Sequence, residues 1–152
     1  MQSIAAQLSD IVERYGSRLA DIPEEVLSAK PRPDKWSKKE ILGHLVDSAQ
    51  NNARRFIVGQ YEETPTIVYN QDRWVSVAGY QRYPGNELVV LWQVLNHYIC
   101  RVLEAAPPGA GSRTVDTRGP QPRSIEWLAT DYCKHLLHHL HQILELEPVS
   151  YP

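Results

Sequence analysis

Four of the six histidines of this chain fall within seven residues, in the run Asp131-Tyr-Cys-Lys-His135-Leu-Leu-His138-His139-Leu-His141-Gln-Ile-Leu144. Imidazole is the commonest protein ligand for a transition metal, and it titrates near neutrality without help. The surrounding apolar residues repeat with helical spacing. At about 100° per residue, His135 and His139 lie one turn apart and about 40° apart around the axis, so their side chains converge. His138 sits about 60° to one side of His135, and His141 faces well away from the pair. Two ligands on one helix do not make a stable site, so a third must come from another element.

Only His44 and His97 lie outside the cluster. His97 falls roughly 200° from Leu95 and so points to solvent or to the rim. His44 lies at the flank of a helix whose inward side is fixed by Ile41 and Leu45. Helix bundles build metal sites from side chains projecting inward from facing helices. His44 with His135 and His139 would give a three-nitrogen face with positions left open for water or substrate, the pattern of a catalytic metal site. The plainer alternatives are a hydrogen-bonded interhelical role for His44 and an exposed, adventitiously metal-binding face for the cluster.

The elements that must position these residues read as helices. The first long helix covers about Ser3 to Ala20, and a short one follows at Pro23 to Ser28, with Pro23 suited to a first helical position. The second long helix opens at Ser37, where Glu40 three residues on completes a capping box, and runs to about Gly59. Its polar residues Asp47, Gln50, Asn51 and Asn52 are expected to be solvated or to face another helix. From Gln60 to Gly85 the periodicity fails, with short helical turns expected around Asp72 to Val77. The third long helix runs from a cap at Asn86 to Ala106, before Pro107 and Pro108. Gly109 to Pro122 is irregular, and Ser124 caps a fourth long helix reaching about Leu146. No segment alternates as a strand. The expected architecture is all-α, a four-helix bundle with long connections in a single domain over residues 1–152.

Composition narrows the function classes. The chain has 152 residues and a formal charge of -2, with a pI of about 6.3. This gives no basic footprint for nucleic acid or anionic membrane. No apolar run approaches the roughly 18 residues of a membrane span, and no signal-peptide core opens the chain. Cys100 and Cys133 read as reduced, buried thiols, and the expected compartment is the cytoplasm.

The run Trp36-Ser-Lys-Lys-Glu40-Ile-Leu-Gly-His44-Leu-Val-Asp47-Ser48 resembles the second-helix motif of the DinB/YfiT-like superfamily. The histidine run from Asp131 to Ile143 is similar to that family's C-terminal metal motif. Tyr69-Asn-Gln-Asp72-Arg73-Trp74 and the third helix resemble its YfiT-like branch. The resemblance implies a four-helix bundle, often a homodimer, holding a divalent metal (zinc or nickel) through three histidines that match His44, His135 and His139. That branch also carries histidine at the position of His138, and another on the third helix where this chain places Asn96 beside His97.

An open divalent centre can lower the pKa of a water to about 7, polarise a carbonyl or hold a thiolate. The resemblance implies the same two chemistries on a small-molecule substrate. One is hydrolysis; the other is transfer of a low-molecular-weight thiol (bacillithiol, mycothiol or glutathione type) onto an electrophile. Hydrolysis needs a general base, for which Asp47 and Glu40, one turn either side of His44, are the candidates. Asp47 has a competing role as an orienting partner of a ligand histidine, and Glu40 has one in the capping box. Thiol transfer needs no protein base. The aromatic loop is expected to cover the metal and shape an apolar pocket through Tyr69, Arg73 and Trp74, although Trp74 also suits an anchor to the bundle. Arg54, Arg55, Arg113, Arg118 and Arg123 read as solvated surface, with attraction of an acidic substrate or thiol cofactor as the functional alternative. The non-catalytic alternative is a metal-binding domain of a stress response or an assembly.

Overall fold

Helix α1 (Gln2–Ala20) buries Ile4, Leu8, Ile11, Val12, Tyr15 and Leu19 along one stripe of the computed structural model, which describes residues 1–151. Helix α2 (Glu24–Ser28) follows, with Pro23 at the N-cap rather than the first helical position. Helix α3 (Lys38–Val58) starts at a complete capping box. Ser37 Oγ accepts from the Glu40 backbone N–H at 3.1 Å, and Glu40 Oε2 accepts from the Ser37 N–H at 2.8 Å. The helix therefore begins at one defined residue, and that start fixes the angular position of everything after it, His44 included.

Between residues 60 and 85 a two-turn helix forms, α4 (Gln71–Ala78), capped by the Asn70 side chain and stopped by Gly79 at φ 69°. Helix α5 (Gly85–Glu104) starts one residue before the expected cap at Asn86. Pro84 occupies the cap instead, its fixed φ already suited to entering a helix. Helix α6 (Ile125–Ile143) is capped by Ser124, whose Oγ accepts from the Trp127 N–H at 3.1 Å. It ends short of Leu146 because Glu145 adopts a left-handed φ of 54°. The Leu146 N–H then bonds back to the His141 carbonyl at 2.9 Å, a closing turn of the Schellman type.

One departure from the all-helical expectation is a small ribbon, β1 (Thr114–Val115) antiparallel to β2 (Arg123–Ser124). Two residues per strand are too few for an alternating pattern to show in sequence. The two irregular stretches also hold each other: Ile67 N–H donates to the Asp116 carbonyl at 2.9 Å, and Arg113 donates to the carbonyls of Gly59 and Glu62 at 2.7 and 2.8 Å.

The four long helices enclose one apolar core in which Phe56, Trp92, Ile99 and Leu136 are fully buried. Helix α5 packs on α1 and α3, and α6 packs on α3 and α1. Lys39 is buried at their edge, its ammonium satisfied by the Glu24 carboxylate and by the Tyr83 carbonyl at 3.0 Å, while Glu24 also accepts from the Gly85 N–H. This cluster ties α2 and α3 to the start of α5. Cys100 and Cys133 are free and buried, and burial pushes their thiols up to about 11 and about 12.

The polar face of α3 is more deeply buried than its composition suggested. Asp47, Asn51 and Asn52 are buried and only Gln50 is exposed. Asn51 and Asn52 each donate from Nδ2 to the carbonyl four residues back, of Asp47 and Ser48, at 2.9 Å. Across from them, the Tyr80 ring lies directly on Gly43, where any Cβ would overlap it. Gly43→Ala is therefore expected to cost about 1–3 kcal/mol, read as a lowered midpoint in denaturant unfolding. An unchanged midpoint would mean that Tyr80 swings away freely.

Candidate metal centre

The capping box on α3 and the Ser124 cap on α6 set the two helices so that their histidines meet. His44, His135 and His139 each offer one ring nitrogen, and the three atoms lie within 4.8 Å of one another. His44 Nε2 is 3.1 Å from His135 Nε2. Two nitrogens at about 2.0–2.1 Å from a shared tetrahedral ion would be about 3.3 Å apart, so this spacing fits a metal. The rings stand nearly perpendicular in every pair, at 85°, 82° and 78°, with centroids 5.1, 5.1 and 4.6 Å apart. Edges rather than faces therefore point to a common centre.

The outward nitrogens of two of these rings are held in place. Ser48 Oγ lies 3.4 Å from His135 Nδ1, and Gln142 Oε1 lies 3.0 Å from His139 Nδ1. Such partners fix the tautomer and leave Nε2 for a ligand. His44 Nδ1 is buried without a partner, and the Trp36 ring packs against this imidazole at 5.3 Å. Burial, helped by the charge His139 would carry, pulls His44 down to about 4. Burial and the neighbouring imidazoles pull His135 down to about 3, and burial lowers His139 as well. All three are neutral at pH 7, with the free lone pairs that a metal needs. The donor set, its spacing and its protonation state fit a divalent ion.

The remaining histidines are engaged elsewhere. His138 Nδ1 pairs with the Val149 carbonyl at 2.8 Å, and its ring faces Tyr151. His141 points toward α1, where its Nε2 meets the Tyr15 hydroxyl at 2.8 Å. His97 is exposed. Asn96 is fully buried and accepts from the Tyr132 hydroxyl at 2.7 Å, so α5 reaches the neighbourhood only through Tyr132.

Beside the triad lies a cavity of about 470 Å³, lined among others by Ser48, Arg55, Tyr69, Asp131, His135 and His139. Its wall is mostly polar, where the sequence led us to expect an apolar pocket under the aromatic loop. Tyr69 does line it. Trp74, 36% exposed, lies outside the lining and packs edge-on against Tyr69 at 5.6 Å, and Arg73 is exposed. Glu40 is used up in the capping box, in an ion pair with Lys30 at 3.0 Å and by Gln81. Asp47 is fully buried away from the cavity wall; its Oδ1 accepts from the Tyr80 hydroxyl and its Oδ2 has no partner. Burial pushes its carboxyl up to about 7, against the pull of the Tyr80 hydrogen bond.

Two residues near the site, Gln142 and Tyr151, carry no functional signal in the sequence. Gln142 stands beside His141 in the histidine run, where nothing in the spacing marks it. Tyr151 follows the last periodic residue, where no pattern points to it. Arg55, open in the sequence to solvated surface or to attraction of an acidic substrate or thiol cofactor, lines the cavity. It lies eleven residues after His44 and so only about 20° around α3 from it, a spacing the sequence does contain.

The fold has counterparts among known proteins. The structure superposes on YfiT from Bacillus subtilis with a TM-score of 0.82 at 21% identity, covering 94% of this chain and 83% of that one. YfiT is described as "a probable metal-dependent hydrolase with an unusual four-helix bundle topology". Relatives from Bacillus mycoides and Oceanobacillus iheyensis are 21% and 26% identical over 141 residues, 92% of this chain and 81% of each relative. Both bear the name "Putative metal-dependent hydrolase". Residues 7–143 match the model of the DinB superfamily, and the chain belongs to that superfamily.

Proposed function

We propose that this chain is a metal-dependent hydrolase whose divalent ion, zinc or nickel, is held by His44, His135 and His139, and whose small-molecule substrate enters the adjoining cavity. The observation that carries this reading is the convergence of one nitrogen from each of three imidazoles to within 4.8 Å. Three protein ligands leave coordination positions open, which suits a catalytic more than a structural ion. A bound divalent ion would supply Lewis acidity toward water or a substrate carbonyl. The chain's own part is to aim the ligands: Ser48 and Gln142 hold the rings of His135 and His139, and Trp36 covers one face of His44. The names borne by the relatives support the same reading.

A specific observation favours a second reading, transfer of a low-molecular-weight thiol. Among the described residues the cavity wall carries one carboxylate, Asp131, and none of the three imidazoles has a carboxylate as hydrogen-bond partner. Asp131 accepts from the Tyr151 hydroxyl at 2.9 Å, Glu40 serves the helix cap, and Asp47 lies off the wall. A thiol made acidic by a metal needs no such base. The experiment compares zinc- and nickel-loaded protein on a panel of esters and amides and on bacillithiol, mycothiol and glutathione with an electrophile. Metal-dependent cleavage in the first panel is the expected result. Thioether formation would replace hydrolysis by transfer, and silence in both would leave a metal-binding domain without catalysis.

A further inference from the structure

Ser48, Asn52 and Arg55 follow His44 along one stripe of α3, and all three line the cavity that His135 and His139 also border. Arg55 stands at the far end of that stripe. Its Nε and Nη2 donate to the Ile67 carbonyl at 3.3 and 3.2 Å, and its Nη1 donates to Asn52 Oδ1 at 3.3 Å. A guanidinium has five N–H donors in a planar fork, so one on each terminal nitrogen is left over. Among the described residues, no carboxylate comes within ion-pair distance of it; the ion pairs are made by Lys30, Arg32, Lys38 and Lys39. Asp131, on the same wall, is turned to the Tyr151 hydroxyl instead.

A partly buried cation whose direct acceptors are all neutral is costly; the Asp131 carboxylate acts on Arg55 without touching it, and an anion in direct contact relieves the cost further. The Tyr69 ring, with the Arg55 guanidinium 6.0 Å from its centroid, gives the cation a face to rest on but no counter-charge. Burial lowers the guanidinium's pKa, although it stays charged at any physiological pH. A guanidinium with a spare donor on each terminal nitrogen, lining an open cavity, suits the two oxygens of a carboxylate.

We propose that this cavity binds a small molecule bearing a carboxylate, which Arg55 grips while the molecule's other end reaches the three histidines. The second half of that statement rests on the metal reading above; the carboxylate site does not. Eleven helical residues rise about 16 Å, and the Arg55 side chain shortens that span by leaning back along α3 to Asn52. The ligand is therefore of modest length.

The test uses cobalt-loaded protein and a series of ω-mercapto acids of three to five carbons, each against its primary amide. Absorption from thiolate to cobalt reports binding. At least one acid is expected to bind about tenfold more tightly than its amide. Arg55→Gln should bring that ratio close to one with cobalt content unchanged, and Arg55→Lys should keep part of it. Equal binding of acids and amides at every length, or a preference that survives in Arg55→Gln, would overturn the proposal. If the protein takes up no cobalt, the metal reading has failed and the anion site is judged alone. Glutarate should then raise the melting temperature of the metal-free wild type more than glutaramide does, and should lose that advantage in Arg55→Gln. Equal shifts would overturn the proposal.

Discussion

Replacing His135 with alanine is expected to lower affinity for zinc or nickel by at least about 100-fold, and His44→Ala and His139→Ala should do the same. Each change takes away one of three donors, and the two left behind cannot hold an ion against water. His135 is the first to test, because its Nε2 lies 3.1 Å from His44 Nε2 and its ring 4.6 Å from that of His139. Two control variants belong in the same measurement. His141→Ala should keep full metal content, because that ring serves Tyr15 and the Glu147 carbonyl. His138→Ala should also keep it, since its Nδ1 is spent on Val149. Elemental analysis of the purified variants reads the result, with circular dichroism to check that each has folded. Full occupancy in all five would remove the triad as a metal site.

The triad was legible in the sequence because helical geometry is rigid. Once Ser37 and Glu40 fix the start of α3, His44 can face only one way, and the spacing of His135 and His139 permits only convergence. The structure adds the pairing between helices, which sequence periodicity alone does not contain. Arg55 shows where sequence leaves a choice open, between solvated surface and attraction of an acidic group. Its stripe position relative to His44 was available, but an arginine among other arginines carries no sign that it is buried. Asp47 shows a different limit. Its place one turn beyond His44 made it a candidate base, yet the partner that holds it, Tyr80, comes from a turn after α4 whose docking on Gly43 no local pattern foretells. The helix ends that were misplaced have local causes of the same kind: Pro84 displaces Asn86 as a cap, and a left-handed Glu145 stops α6 early.

Asp47→Asn is expected to stabilise the metal-free protein at alkaline pH and to change little below about pH 4. In the folded chain the Asp47 carboxyl is pushed up to about 7 from a usual value of 3.8. A group whose pKa rises on folding contributes stability that is complete below its unfolded value and is lost as pH climbs through its folded value. At pH 9 the wild type therefore buries an ionised carboxylate with a single hydrogen-bond donor, Tyr80, and an Oδ2 that has no partner. Asparagine keeps the acceptor for the Tyr80 hydroxyl and has no charge to bury. A gain of about 2–4 kcal/mol at pH 9 should shrink as pH falls and approach zero only below about pH 4, where the carboxyl is neutral in the folded and the unfolded chain alike. Urea unfolding of both proteins across that range reads the difference, and the titrations of His44 and His135 cancel because both proteins share them. A gap that stays constant with pH would mean that Asp47 is ionised and well solvated. Asp47→Ala, which strips Tyr80 of its acceptor, should be destabilised at both ends of the range. An ionisable group kept at such a cost, one helical turn from His44, makes physical sense where positive charge enters nearby. A divalent ion on three neutral imidazoles brings that charge, and a carboxylate can answer it where an amide cannot.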